Sequence, residues 1–176
     1  MATRLIDIHD LYAYDDWARG RVLEAASRLT REQLTRELGG SFPSILGILA
    51  HVLSADWVWL SRWQGASPSG WPVDWAVDEL EAVAAHWRRI AGERRAYLAE
   101  LRESDLDRVV DYRNTRGKPY RSAMHEMLRH VVNHASYHRG QISDRIRMVG
   151  GEPVATDLIA WYRERPAGVA TEPIRA

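Results

Sequence analysis

Cysteine is missing from all 176 residues. Its absence removes disulfides, a thiolate nucleophile and every thiolate-based zinc or iron–sulfur site. Long apolar runs are missing too: no stretch approaches eighteen consecutive apolar residues, so nothing in the sequence predicts a membrane span. The opening segment MATRLIDIHDLYAYDDW carries acids and aromatics where a signal peptide needs an unbroken apolar stretch. Nor is there an excess of either charge. The 24 basic residues meet 24 acidic ones and the pI is about 7.1, which argues against nucleic acid as a partner, since phosphate recognition needs a basic surface. The expectation is a cytoplasmic protein with no nucleic-acid and no membrane partner. Lys118 is the only lysine and Phe42 the only phenylalanine, whereas there are eight tryptophans.

A hydrophobic fraction of 45% and a charged fraction of 27% fit an ordinary globular chain, and the length fits one domain. Residues 1–165 are read as that domain and the polar residues 166–176 as a flexible tail. The apolar spacing is helical nearly throughout. Leu11, Tyr14, Ala18, Val22, Ala25 and Leu29 step by three and four, predicting a helix over residues 5–28. Thr30 and Gln33 form a capping box for a short second piece. Ser41, Phe42, Pro43 and Ser44 open a helix that Ile45, Ile48, Leu49, Val52, Leu60 and Trp63 carry to Gln64. Two prolines and two glycines exclude helix over 65–72. Another helix is expected from Val77 to Arg102, with Leu80, Val83, Trp87, Ile90, Tyr97 and Leu101 on one face and Arg88, Arg89, Glu93, Arg95 and Glu100 mostly in solvent. Val109–Arg113 and Lys118–Tyr120 flank Asn114–Gly117 as a β-hairpin. A last long helix runs from Arg121 to Met148, stopped by Gly150 and Gly151, and a short one covers 156–163. The fold class is therefore all-α: a four-helix bundle with a long crossover connection and a small β-hairpin before the last long helix.

Seven histidines are present, and their placement is the most informative feature. His9 and His86 stand alone. His125, His130, His134 and His138 share the last long helix. At about 100° per residue, positions 130, 134 and 138 drift about 40° per step and form one stripe, predicted to face the core with Met127, Val131, Ala135 and Ile142. Buried imidazoles are costly unless hydrogen-bonded or metallated. Two of them four residues apart can converge on one ion at about 2.0–2.1 Å, but a further ligand must come from another helix. His51 qualifies, on an apolar arc between small Gly47 and Ala55. Spacing does not choose between the pairs 130/134 and 134/138.

The string Leu128-Arg-His-Val-Val-Asn-His-Ala-Ser-Tyr-His-Arg-Gly-Gln-Ile142 resembles the C-terminal helix signature of the DinB family, within the DinB/YfiT-like metalloenzymes. Leu11–Arg19 resembles that family's opening helix, Ser44–Arg62 its second helix, and Gly151–Pro153 with Asp157–Ile159 its ending, so the likeness covers about residues 5–163. It implies a four-helix bundle in which His51, His134 and His138 hold a divalent metal, zinc or nickel first and iron or copper next, leaving open positions for water or substrate. His130, Tyr137, Asp56 and Gln141 then become residues of the pocket or partners of the ligating rings, with Asp56 an acceptor for the free N–H of His51. Asn133 also flanks the ligands. Arg139 is read as an interhelical ion-pair partner, and Trp71 and Trp75 as a cover for the pocket mouth.

The resemblance implies two functions of different class. One is a metal-dependent enzyme, an S-transferase using a low-molecular-weight thiol or a hydrolase, acting on a small molecule; without cysteine, the thiol would be a cosubstrate. The other is a non-catalytic, stress-associated metal-binding protein. Eight tryptophans exceed what one small core readily absorbs, so a homodimer is expected.

Overall fold

The computed structural model describes residues 4–72 and 75–165; the tail expected over 166–176 lies outside the described residues. Helix α1 spans Leu5–Ser27, α2 Arg31–Thr35, α3 Ile45–Trp63 and α4 Leu80–Glu100. Strands β1 (Val109–Arg113) and β2 (Pro119–Ala123) follow, then α5 (Met124–Met148) and α6 (Leu158–Glu164). The long helices close a ring: α5 lies against α1 and α3, and α4 against α1 and α3. The mostly helical fold with one small antiparallel sheet is the class expected from the periodicity.

The helix starts differ from the sequence reading for identifiable reasons. Ser44 caps α3 by accepting the Gly47 N–H at 3.0 Å, which leaves Pro43 outside the helix, its carbonyl bound by Leu38 N–H and Arg145. Helix α4 begins at Leu80 rather than Val77. Helix α5 begins at Met124 rather than Arg121 because Val109 pairs with Ala123 and Asp111 with Arg121, holding those residues extended. Glu126 then takes the Ala123 N–H at 3.0 Å. Pro119 is tolerated as the first residue of an edge strand. The exit from α5 needs Gly151: a Cβ there would lie 2.6 Å from Leu29 Cδ2.

The buried residues are mostly apolar, and most of the buried charge lies in one cluster. Asp15, Arg19, Asp56, Arg94 and Arg139 are all buried. Asp15 binds Arg19 and Arg139 at 2.6 Å each and Arg94 at 3.4 Å. Asp56 pairs with Arg19 and, at 3.5 Å, with Arg94, which also pairs with Asp16. Each long helix contributes: α1 Asp15, Asp16 and Arg19, α3 Asp56, α4 Arg94 and α5 Arg139. Burial alone would raise the Asp15 pKa, but the charges of Arg19, Arg94 and Arg139 outweigh it and hold the carboxyl down at about 2.

No helix among the described residues is long and apolar enough to cross a membrane. All eight tryptophans fall within the described residues, and none is fully exposed.

Candidate metal centre

Helix α3 presents His51, and α5 presents His134 and His138, to the seam between them. His51 Nε2 lies 3.2 Å from His134 Nε2, and His138 Nε2 lies 3.1 Å from the same atom. One ligand atom from each ring falls within 4.8 Å of the others, a group that could hold a metal ion. Nitrogens bound at about 2.0–2.1 Å to one tetrahedral ion stand about 3.3–3.4 Å apart, so little movement separates this arrangement from a coordinating one. The geometry brings together the pair 134/138 with His51.

The surroundings set the ionisation and tautomer of the rings. Burial, then the neighbouring His138, pushes His51 down to about pKa 4. Burial, then His138, His51 and His130, pushes His134 down to about 3. Both rings are therefore neutral at neutral pH, the form that ligates. His138 Nδ1 lies 2.8 Å from Gln141 Oε1, an acceptor only, so Nδ1 carries the proton and Nε2 offers its lone pair to the group. Phe42 stacks on His51 with centroids 4.0 Å apart and meets His138 edge-on at 5.8 Å. The sequence reading did not find this half-buried ring. A lone phenylalanine in a turn carries no periodic signal.

The other candidate residues separate. His130 sits next to the group, 5.9 Å from His134 between ring centroids, but keeps an exposed face. The stripe is thus not wholly core-facing: its drift takes it from solvent at His130 to full burial at His138. Crowding removes enough water to lower the His130 pKa, and the charge of Arg62 adds to this. Tyr137 is 65% exposed, with its ring 5.1 Å from His138 and its hydroxyl 3.4 Å from Gln141 Nε2. Asn133 is exposed at the far side of α5 with Leu11 and Tyr14. Asp56 does not accept from His51; five positions on, it points to the arginine cluster instead. Arg139 is an interhelical ion-pair partner, on Asp15. Trp71 and Trp75 do not cover the histidines. They pack with Trp57 beside α4, where Trp75 stacks on His86 at 4.4 Å and Arg89 lies over it.

The chain has relatives among known proteins. The family model described as the DinB family matches residues 1–167. "Protein DinB" of Bacillus subtilis (strain 168) is 28% identical over 154 residues, covering 84% of this chain and 88% of that protein. The crystal structure of a DinB-like protein from Bacillus cereus ATCC 10987 superposes with a TM-score of 0.67 at 22% identity, covering 88% of this chain and 99% of that one, a likeness of fold.

Proposed function

Because the chain belongs to the DinB family, we propose that it is a metal-dependent enzyme of the thiol-dependent S-transferase or hydrolase type, with a divalent cation held by His51, His134 and His138. The observation that carries this reading is the convergence of three histidine rings from two helices on one group, with His51 and His134 still partly open to solvent. Three imidazoles without a thiolate suit zinc or nickel, and also iron or copper. A divalent ion with three neutral ligands keeps its charge and lowers the pKa of a thiol or water that joins it.

The chain's own residues divide the remaining work. Gln141 holds the His138 tautomer. Phe42 keeps water from one face of His51. His130, neutral and one helical turn from His134, is placed to take the proton that an incoming thiol or water releases. Lacking cysteine, the protein takes its thiol from a small-molecule cosubstrate.

The test begins with elemental analysis of protein purified without a nickel column, followed by turnover assays across a panel of small thiols and activated esters. About one ion per chain is expected, falling sharply in His51→Ala, His134→Ala and His138→Ala but not in His9→Ala or His86→Ala. Full metal content in a His51→Ala/His138→Ala double variant would refute the site. Metal bound without turnover on any panel member would favour a non-catalytic metal-binding role.

A further inference from the structure

Four arginines are buried among the described residues: Arg19, Arg62, Arg94 and Arg139. Three of them meet carboxylates in the central cluster. Arg62 meets none. It is 5% exposed, its Nε has no hydrogen-bond partner, and no carboxylate among the described residues pairs with its guanidinium. Its surroundings are aromatic: Cζ lies 4.4 Å from the Trp59 ring centroid and 5.2 Å from that of Tyr112, in the corner these two rings form with centroids 5.5 Å apart. Cation–π attraction offsets part of the cost of desolvating the charge, but satisfies none of its five N–H donors. A buried cation without an anion is the arrangement that folding normally avoids.

The position of this cation relative to the histidines is defined. Arg62 stands eleven residues after His51 on the same helix, about 16 Å of helical rise and almost back on the same face. Trp59 bridges the interval: its ring is 4.8 Å from His130, which is 5.9 Å from His134. A file of aromatic and imidazole rings therefore links the metal group to the unpaired guanidinium.

We infer that Arg62 is an anion-recognition residue, binding the carboxylate of an elongated small-molecule substrate or thiol whose reacting end lies at the three histidines. The inference rests on the enzyme reading above for the second half of that statement and on Arg62 alone for the first. The aromatic corner covers the guanidinium on its ring-facing sides, so an acceptor approaches the N–H edge, where a carboxylate can take two parallel bonds. Trp59 and His130 give the substrate an apolar wall between its two ends. Lysine would supply charge without the fork.

The probes are ω-mercaptoalkanoates of increasing length, 3-mercaptopropionate, 8-mercaptooctanoate and 11-mercaptoundecanoate, each against the ω-mercaptoalkanol of the same length. Binding to cobalt-loaded protein is read from the thiolate-to-metal absorption band. Long acids should bind about tenfold or more tighter than their alcohols, 3-mercaptopropionate should show no such advantage, Arg62→Gln should abolish it, and Arg62→Lys should keep part of it. Equal affinities of long acids and alcohols in the unmodified protein, or an advantage that survives Arg62→Gln, would overturn the inference. A metal-free arm reads Arg62 by itself. Its Nε–H resonance in proton–nitrogen NMR, assigned by its loss in Arg62→Gln or Arg62→Lys, should shift with octanoate and not with octanol. If no thiol of either kind binds the cobalt site, the enzyme reading fails and this resonance decides: a shift selective for octanoate supports Arg62, and no shift overturns it.

Discussion

Replacing Asp15 with asparagine removes one charge and almost no volume from the centre of the molecule. The Asp15 side chain is fully buried and holds Arg19 and Arg139 at 2.6 Å and Arg94 at 3.4 Å. An amide keeps one acceptor oxygen but turns an NH2 donor towards groups that are themselves only donors. Three guanidiniums would then share Asp56 and the half-exposed Asp16. Breaking a buried pair by removing one partner costs about 3–5 kcal/mol, because the surviving charge stays buried. That is a large share of the roughly 5–15 kcal/mol that stabilises a typical domain. For a chain of this length it corresponds to a fall in Tm of roughly 6–20 °C. Urea denaturation followed by circular dichroism is the assay, with Asp111→Asn, in an exposed pair with Arg121, as a control expected to shift nothing measurable. A loss below about 1 kcal/mol for Asp15→Asn, with an unchanged dependence on urea, would refute the reasoning. The same carboxyl predicts an acid limb. Its folded pKa of about 2 lies below the ordinary carboxylate value, so its contribution is complete above about pH 4 and lost as the pH falls through about 2.

Three further outcomes are expected. Gln141→Ala, which frees His138 Nδ1, should weaken metal affinity by about 10- to 100-fold in a competition titration while leaving the melting temperature of metal-free protein nearly unchanged. The low pKa values of His51 and His134, about 4 and 3, mean that the unfolded chain takes up protons on these rings below about pH 6.5 while the folded chain does not. The metal-free protein should therefore lose stability as the pH falls from about 6.5 towards 4. For the same reason the His51 and His134 rings of metal-free protein should stay unprotonated from about pH 7 down to about pH 5 in an NMR titration; protonation of both rings centred near pH 6 would contradict their burial. Sedimentation at micromolar concentration should show a homodimer, with partly buried tryptophans such as Trp17 and Trp161 in the contact, and a species of about 20 kDa alone would count against it.

What could be read from the sequence followed the range of each signal. Helix existence, the hairpin and the stop at Gly150 and Gly151 depend on neighbours within a few positions, and periodicity and turn residues report them directly. The histidine stripe is of the same kind, but its pairing with His51 needs two helices in register, which spacing alone left open. The buried charges were invisible for a definite reason: a periodicity search counts Asp15, Arg19 and Arg94 as solvent-facing. Yet Asp15 and Arg19 are four apart, and Arg19 falls in phase with Tyr12, Val22 and Ala26 on the buried face of α1. An opposite-charge pair in phase with an apolar stripe was the available signal. Phe42 and Arg62 had none, because what matters about each is a residue brought to it by the fold: His51 against Phe42, Tyr112 against Arg62.

The two helices that carry the histidine group, α3 and α5, also contribute Asp56 and Arg139 to the charged cluster, and this bears on why buried charge is kept where apolar packing would serve stability as well or better. Arg139 follows His138 directly, so its bond to Asp15 fixes the rotation of α5 within one residue of a candidate ligand. Asp56 lies little more than one turn beyond His51, and Arg19 ties it to α1. Asp15 and Arg19 are themselves joined, so α3 and α5 are referred to one pair of side chains on α1. Apolar contacts resist separation of helices but only weakly resist small rotations about their axes, since dispersion has no preferred direction. Hydrogen bonds between guanidinium and carboxylate do have one. His51 Nε2 and His138 Nε2, at 3.2 and 3.1 Å from His134 Nε2, meet it only if both helices hold their angles about their own axes, and the directional contacts that set those angles lie within about one turn of the rings they align.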